Sequence, residues 1–278
     1  MADTATRVRA RHGLIHAVLI FTGVLMAFPF VWQLIMSLST NREIMQVPPT
    51  FWPAELQWQN FVAAFERLPL LEQFRTSIVV TVLRVVGQVV FCCLAGYAFA
   101  RMRFPLRAFL FGVVLSILMI PSQVYLIPQY QLMRDLGLLE TVLAIALPGM
   151  FSAFGTFLMC QAFIGLPREL EEAARIDGAN PVRTFFTIML PLVRPSIAAL
   201  VITCVLWSWN DLLWPLVVTT RAENMPLSVG LATLQGQNSP DYAVIMATAT
   251  IATAPILILF LLMQRRVIEG LAFSGVRG

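Results

Sequence analysis

Hydrophobic residues in this chain of 278 residues come in long blocks, and polar residues collect in the gaps between them. Six blocks, 14–38, 77–100, 108–130, 141–164, 195–219 and 242–263, reach the roughly 20 apolar residues that a helix needs to cross a bilayer. The pattern predicts an all-α integral membrane protein of six transmembrane helices. It has an arm at 1–13, a membrane domain at 14–264 and a tail at 265–278. The first block is longer than the apolar core of a cleaved signal peptide, about 7–15 residues, and is read as a retained span. Pro121 and Pro128, with Ser122 and Gln123 between, predict a bent, cavity-lining third span. Pro148, Gly149 and Gly155 predict bending or close contact in the fourth.

The longest polar island follows the fourth block, in the loop 165–194. Pro167 suits the first turn of a short helix made soluble by Arg168, Glu169, Glu171, Glu172 and Arg175, and Gly178 suits a left-handed C-cap. Arg168–Glu172 and Glu171–Arg175 stand at i, i+4 and are expected to pair. Asn180-Pro181 then starts a second helix, on which Val182, Phe185, Phe186, Met189 and Leu190 form an apolar stripe of helical period. Between the first two spans, Phe61, Phe65 and Leu68 predict a short amphipathic helix in a long loop. The loop 219–241 is expected to be polar and to touch something outside the membrane.

Composition agrees: 58% hydrophobic residues, 12% charged and a mean hydropathy of +0.78 lie far outside soluble usage. The 19 basic residues are all Arg; apart from Arg84, which lies inside a block, 13 fall on the side of both termini and the polar island against 5 on the other. Positive-inside logic places the termini and that island in the cytoplasm, where a cysteine introduced at Asn238 is expected not to lie. The net charge of +4 needs no nucleic acid to explain it. Cys92, Cys93, Cys160 and Cys204 sit inside apolar blocks without metal-ligand spacing and are read as small core residues.

Little in the chain supports catalysis. A phosphate-binding Walker loop needs a Lys and the sequence has none; the histidines, His12 and His16, stand together at the first span. Within the fifth block, Trp207, Asn210, Asp211 and Trp214 fall at i, i+3, i+4 and i+7 and are expected on one helix face, where aromatic planes beside amide and carboxylate suit a sugar. The alternative is that Trp209 and Trp214 are interfacial belt residues and that Asp211 packs against a partner helix or an Arg such as Arg84. Arg84 itself, seven residues into the second block, is read as snorkelling outward.

The spacing of Glu172-Ala173-Ala174, three residues, Gly178, nine residues and Ile188-Met189-Leu190-Pro191 resembles the signature of permease subunits of bacterial ATP-binding-cassette importers. Tyr97-Ala98-Phe99-Ala100-Arg101, Trp209-Asn210-Asp211 and the tail from Gly270 resemble the carbohydrate-uptake branch, in particular its shorter, maltose-type permease. The resemblance implies a type I importer permease fold whose cytoplasmic coupling helix docks on the ATPase through Glu172, Ala173, Ala174, Asp177 and Gly178. It implies a multi-pass location in the bacterial cell membrane. The implied partners are a second permease, an ATPase dimer binding ATP and Mg, an extracytoplasmic substrate-binding protein and membrane lipid; no cofactor binds this chain. A glycerol phosphate or other polar solute is the alternative cargo, and a secondary transporter using Arg84 and Asp211 the alternative class.

Overall fold

In the computed structural model the backbone is described for residues 2–48, 50–236 and 240–275, and side chains for 15–48, 50–236, 240–259 and 261. Asn238, the Arg side chains of the first 13 residues and those of the tail lie outside the described residues. Among the described residues all regular structure is helical. In chain order the helices are α1 (Ala2–Ser37), α2 (Asn41–Met45), α3 (Gln59–Arg67), α4 (Leu70–Arg101), α5 (Arg107–Ser116), α6 (Leu126–Asp135), α7 (Val142–Ala146) and α8 (Ala153–Ile164). They continue as α9 (Glu169–Ile176), α10 (Pro181–Thr184), α11 (Leu190–Leu192), α12 (Arg194–Trp209), α13 (Leu213–Val218), α14 (Leu227–Gln235) and α15 (Tyr242–Gly275). Residues 2–13 are helical and continuous with the rest of α1, and α15 runs on through Arg265 and Arg266.

Three helical stretches, Ile15–Ser37, Leu70–Arg101 and Tyr242–Leu259, are each long and apolar enough to cross a membrane. Three bent pairs bring the number to as many as six if each pair makes one span: Arg107–Met119 with Ser122–Asp135 at 100°, Val142–Gly149 with Ala153–Ile164 at 42°, and Pro181–Leu192 with Arg194–Trp209 at 75°. The first two bends fall at the prolines and glycines that predicted them. The third joins the polar hairpin to the fifth apolar block, while that block is itself cut after Trp209.

The chain divides into two compact units, Met1–Leu68 with Leu231–Ala254, and Pro69–Gly230 with Pro255–Gly278. In the first, none of the apolar window of α1 is buried within the chain. The loop after α1 is nonetheless well built. Thr40 and Glu43 form a capping box on α2, Asn60 Nδ2 donates to the Ser37 and Ser39 carbonyls at 2.9 Å each, and Arg67 pairs with Asp241 at 2.9 Å. The expected amphipathic helix is α3. Glu43 accepts backbone N–H bonds from Ala54 and Thr40 and a hydroxyl bond from Thr40, which hold its carboxyl below the usual range.

The second unit is built on α4, which packs along α8 and α12. Cys92, Cys93 and Cys160 join Met159, Phe163, Phe185, Met189 and Leu200 in its core. The helix starts at Leu70, after Pro69, rather than at Ser77; Ser77 is buried within it, and its hydroxyl accepts the Leu227 N–H at 2.8 Å. Leu227 and Val229 are buried as well, so the loop 219–241 contains an embedded helical segment and is not polar throughout. Arg84 lies 14 residues along α4, about 21 Å from its start, and it is buried in the protein instead of reaching outward.

Candidate functional site

Among the described residues, two polar clusters of the second unit lie beside cavities, and the first is the polar hairpin. Helix α9 ends in a Schellman cap: the Gly178 N–H donates to Arg175 O at 3.1 Å and the Ala179 N–H to Ala174 O at 2.9 Å, with Gly178 at φ 78°. Asn180 Oδ1 then caps α10 through the Arg183 N–H at 2.8 Å. Glu171 does not pair with Arg175. It turns to α4, accepting the Tyr97 hydroxyl at 3.1 Å and facing Arg101 at 3.8 Å. Arg101 also donates to the Phe163 carbonyl at 2.6 Å and to that of Leu166, so one buried cation closes the C-terminal end of α8 and holds α9. Among the described residues Arg168 has no ion pair with Glu172.

Beyond Thr184 the backbone opens into a π turn at Phe185–Met189, in which the Leu190 N–H reaches Phe185 O. The wider turn breaks the expected stripe. Phe185 and Met189 are buried while Val182 and Phe186 are exposed. Phe185 packs against Tyr97 in a tilted arrangement with ring centroids 5.0 Å apart, and against Phe163 at 6.1 Å. Ala174 is buried against the body, whereas Glu172, Ala173, Asp177 and Gly178 are exposed. A cleft of about 560 Å³ beside them is lined by Arg103, Arg107, Arg168, Glu172 and Arg175 among others.

The second place is the break between α12 and α13. Asn210 is the C-cap of α12, its side-chain amide donating back to Leu206 O at 2.8 Å. Pro215 has no N–H with which to bond the Asp211 carbonyl, and the Ser228 hydroxyl takes that carbonyl at 2.6 Å. Asp211 is thereby left in the gap, where its Oδ2 meets Arg84 at 2.8 Å. A matching break lies opposite. Pro148 leaves Ala144 O to the Trp214 indole N–H at 3.0 Å, Ile145 O accepts Arg84 at 2.8 Å, and Gly149 O accepts Gln88 at 2.9 Å. Around the pair is a cavity of about 230 Å³, lined further by Ser122, Tyr125, Gln129 and Trp214.

The segment 88–272 matches the model of the binding-protein-dependent transport system inner membrane component family. The chain belongs to this family. It is similar to the arabinooligosaccharides transport system permease protein AraQ of Halalkalibacterium halodurans, 38% identical over 93% of this chain and 94% of the relative. It is also similar to the sn-glycerol-3-phosphate transport system permease protein UgpE of Brucella suis, 34% identical over 92% of this chain and 94% of the relative. The fold is that of a bacterial ABC transporter involved in alginate import, with a TM-score of 0.78, 24% identity and coverage of 91% of this chain and 95% of that one. The protein is thus a permease subunit of an ABC importer and not an enzyme.

In this permease the four residues expected on one face are separated. Helix α12 ends at Trp209, so Trp207 stays on its exposed side, Asn210 is spent on the cap, and Trp214 is buried on α13. Only Asp211 and Trp214 of the four reach the cavity. The pairing of Asp211 with Arg84 is present, and Arg84 is buried instead of snorkelling. Sequence reasoning named Ser122 as part of a bent, cavity-lining span and missed Tyr125 and Gln129. Their spacing of three and seven residues from Ser122, across a proline-broken apolar block, is the signal that could have found them.

Proposed function

We propose that this permease carries a sugar or sugar-like solute into the cytoplasm by alternating access, with six spans and both termini inside, and that α9 is its coupling helix. The Arg distribution of 13 to 5 supports the orientation. The similarity to an arabinooligosaccharide permease supports the cargo, and the unburied face of α1 leaves a surface for lipid or for a second permease. The observation that carries the coupling assignment is the two-sided build of α9. Its inner side is tied to α4 and α8 through Glu171, Tyr97 and Arg101, while Glu172, Ala173 and Asp177 remain open to a partner. A lever must be rigid toward the part it moves and exposed toward the part that drives it. The ATPase, with its ATP and Mg, is that driver, and an external binding protein delivers the solute.

The experiment is purification of the tagged chain from its native membrane, followed by reconstitution. An ATPase and a second permease should co-purify, and uptake of labelled arabinotriose or of another oligosaccharide accepted by the binding protein should require internal ATP. A chain that purifies alone, or uptake driven by an ion gradient without ATP, would overturn the reading.

A further inference from the structure

We propose that the cavity at the Arg84–Asp211 pair accepts neutral polyhydroxylated solute and rejects phosphorylated or carboxylated solute. The proposal rests on the importer reading and names the charge class of its cargo. Recognition of a phosphate or carboxylate in a poorly hydrated site calls for a cation with free donors, most often a bidentate Arg. Among the described residues Arg84 is the one cation lining this cavity, and its charge is already paired with Asp211. Its NH2 group serves both Asp211 Oδ2 and Ile145 O at 2.8 Å. Its Nε is buried without a partner and sealed against Gly149, where an added Cβ would stand 2.5 Å from it.

The pair is also asymmetric toward the cavity. The Asp211 side chain keeps 23% of its exposure and Arg84 only 7%, so an entering solute meets the carboxylate first. Hydroxyl donors are welcome there and anions are repelled. Ser122, Tyr125 and Gln129 add neutral hydroxyl and amide partners, and Trp214 with Pro148 offers apolar surface for the C–H side of a ring. The volume of about 230 Å³ is below the roughly 300–1,000 Å³ of a drug-sized site, which fits one ring of a solute and not a whole oligosaccharide.

The test compares glucose with glucose 6-phosphate, which differ by the charged group, as equilibrium ligands of the purified complex of this chain with its second permease and ATPase, without ATP. Wild type should bind the phosphate at least about tenfold more weakly than glucose, since like charges facing each other disfavour binding. Asp211→Asn releases Arg84 and should bind glucose 6-phosphate at least about tenfold more tightly than wild type does, in competition with inorganic phosphate. Arg84→Gln with Asp211→Asn should show no such gain. An assembled Asp211→Asn complex with no gain for the phosphate overturns the proposal. Should Asp211→Asn not assemble, the wild-type comparison decides: a response to glucose 6-phosphate at least equal to that for glucose, including none to either, overturns it. ATP-dependent uptake by the same complex, measured separately, distinguishes this failure from failure of the importer reading.

Discussion

Asp211 and Arg84 neutralise each other inside the second unit, so removing one is far more damaging than removing both. Asp211→Ala leaves a buried, uncompensated guanidinium and should destabilise the complex by about 3–5 kcal/mol. Arg84→Met with Asp211→Leu should recover most of that loss, because apolar residues replace a buried pair at little net cost. Thermal unfolding of the purified complex measures both, and equal losses in the single and double variants would refute the argument. Gly149→Ala should act on the same pair from behind, since its Cβ would come within 2.5 Å of Arg84 Nε. The cost is about 1–3 kcal/mol of overpacking, and it should shrink in an Arg84→Ala background, which lacks the Cγ, Cδ and Nε that the new Cβ would meet. The possibility of this pair was legible in the sequence because a charge within an apolar block needs a partner. The four-residue face was not, because period counting assumes an unbroken helix. Asn210 folding back on Leu206 O and Pro215 withholding its N–H end that helix after Trp209.

At the scale of elements, α9 hangs on Arg101, Tyr97 and Glu171. Tyr97→Phe removes one hydrogen bond to a carboxylate, about 1.5–3 kcal/mol at most. Arg101→Ala also strips the Phe163 and Leu166 carbonyls of their donor and should loosen the hairpin more. Limited proteolysis within 165–180 should therefore be faster in Arg101→Ala than in Tyr97→Phe, and the reverse order would contradict this build. The loop after α1 carries a pH dependence. The Glu43 carboxyl is held below its ordinary range, so its contribution is complete above the unfolded value of about 4.3 and is lost as pH falls toward the folded one. Amide exchange at 40–54 should speed up on acidification through that window in wild type, and Glu43→Gln should flatten the profile. The caps of α9 and α10 were legible from Gly178 and Asn180-Pro181. The turn of Glu171 toward α4 and the π turn at Phe185–Met189 were not, because each depends on partners distant in sequence.

At the scale of the whole molecule, apolar block length gave the class and the order of the spans, and Pro and Gly gave two of the bends. It missed the early start of α4, which follows Pro69, and the embedded segment at 225–230, set by packing of Leu227 on Ser77. The central claim is that α9 transmits ATP hydrolysis to the spans, and the residue that fixes its exit is Gly178 at φ 78°. A β-branched side chain there costs on the order of 1–2 kcal/mol locally and redirects the chain into α10. Glu172→Ala only removes one exposed charge from the docking face. The decisive measurement is solute-stimulated ATP hydrolysis together with uptake in the reconstituted complex carrying Gly178→Val, with assembly checked by pull-down. Both rates should fall, and further than in Glu172→Ala, while the subunits still assemble. A Gly178→Val complex that assembles, hydrolyses and transports as wild type does would contradict the assignment of α9 as the coupling element.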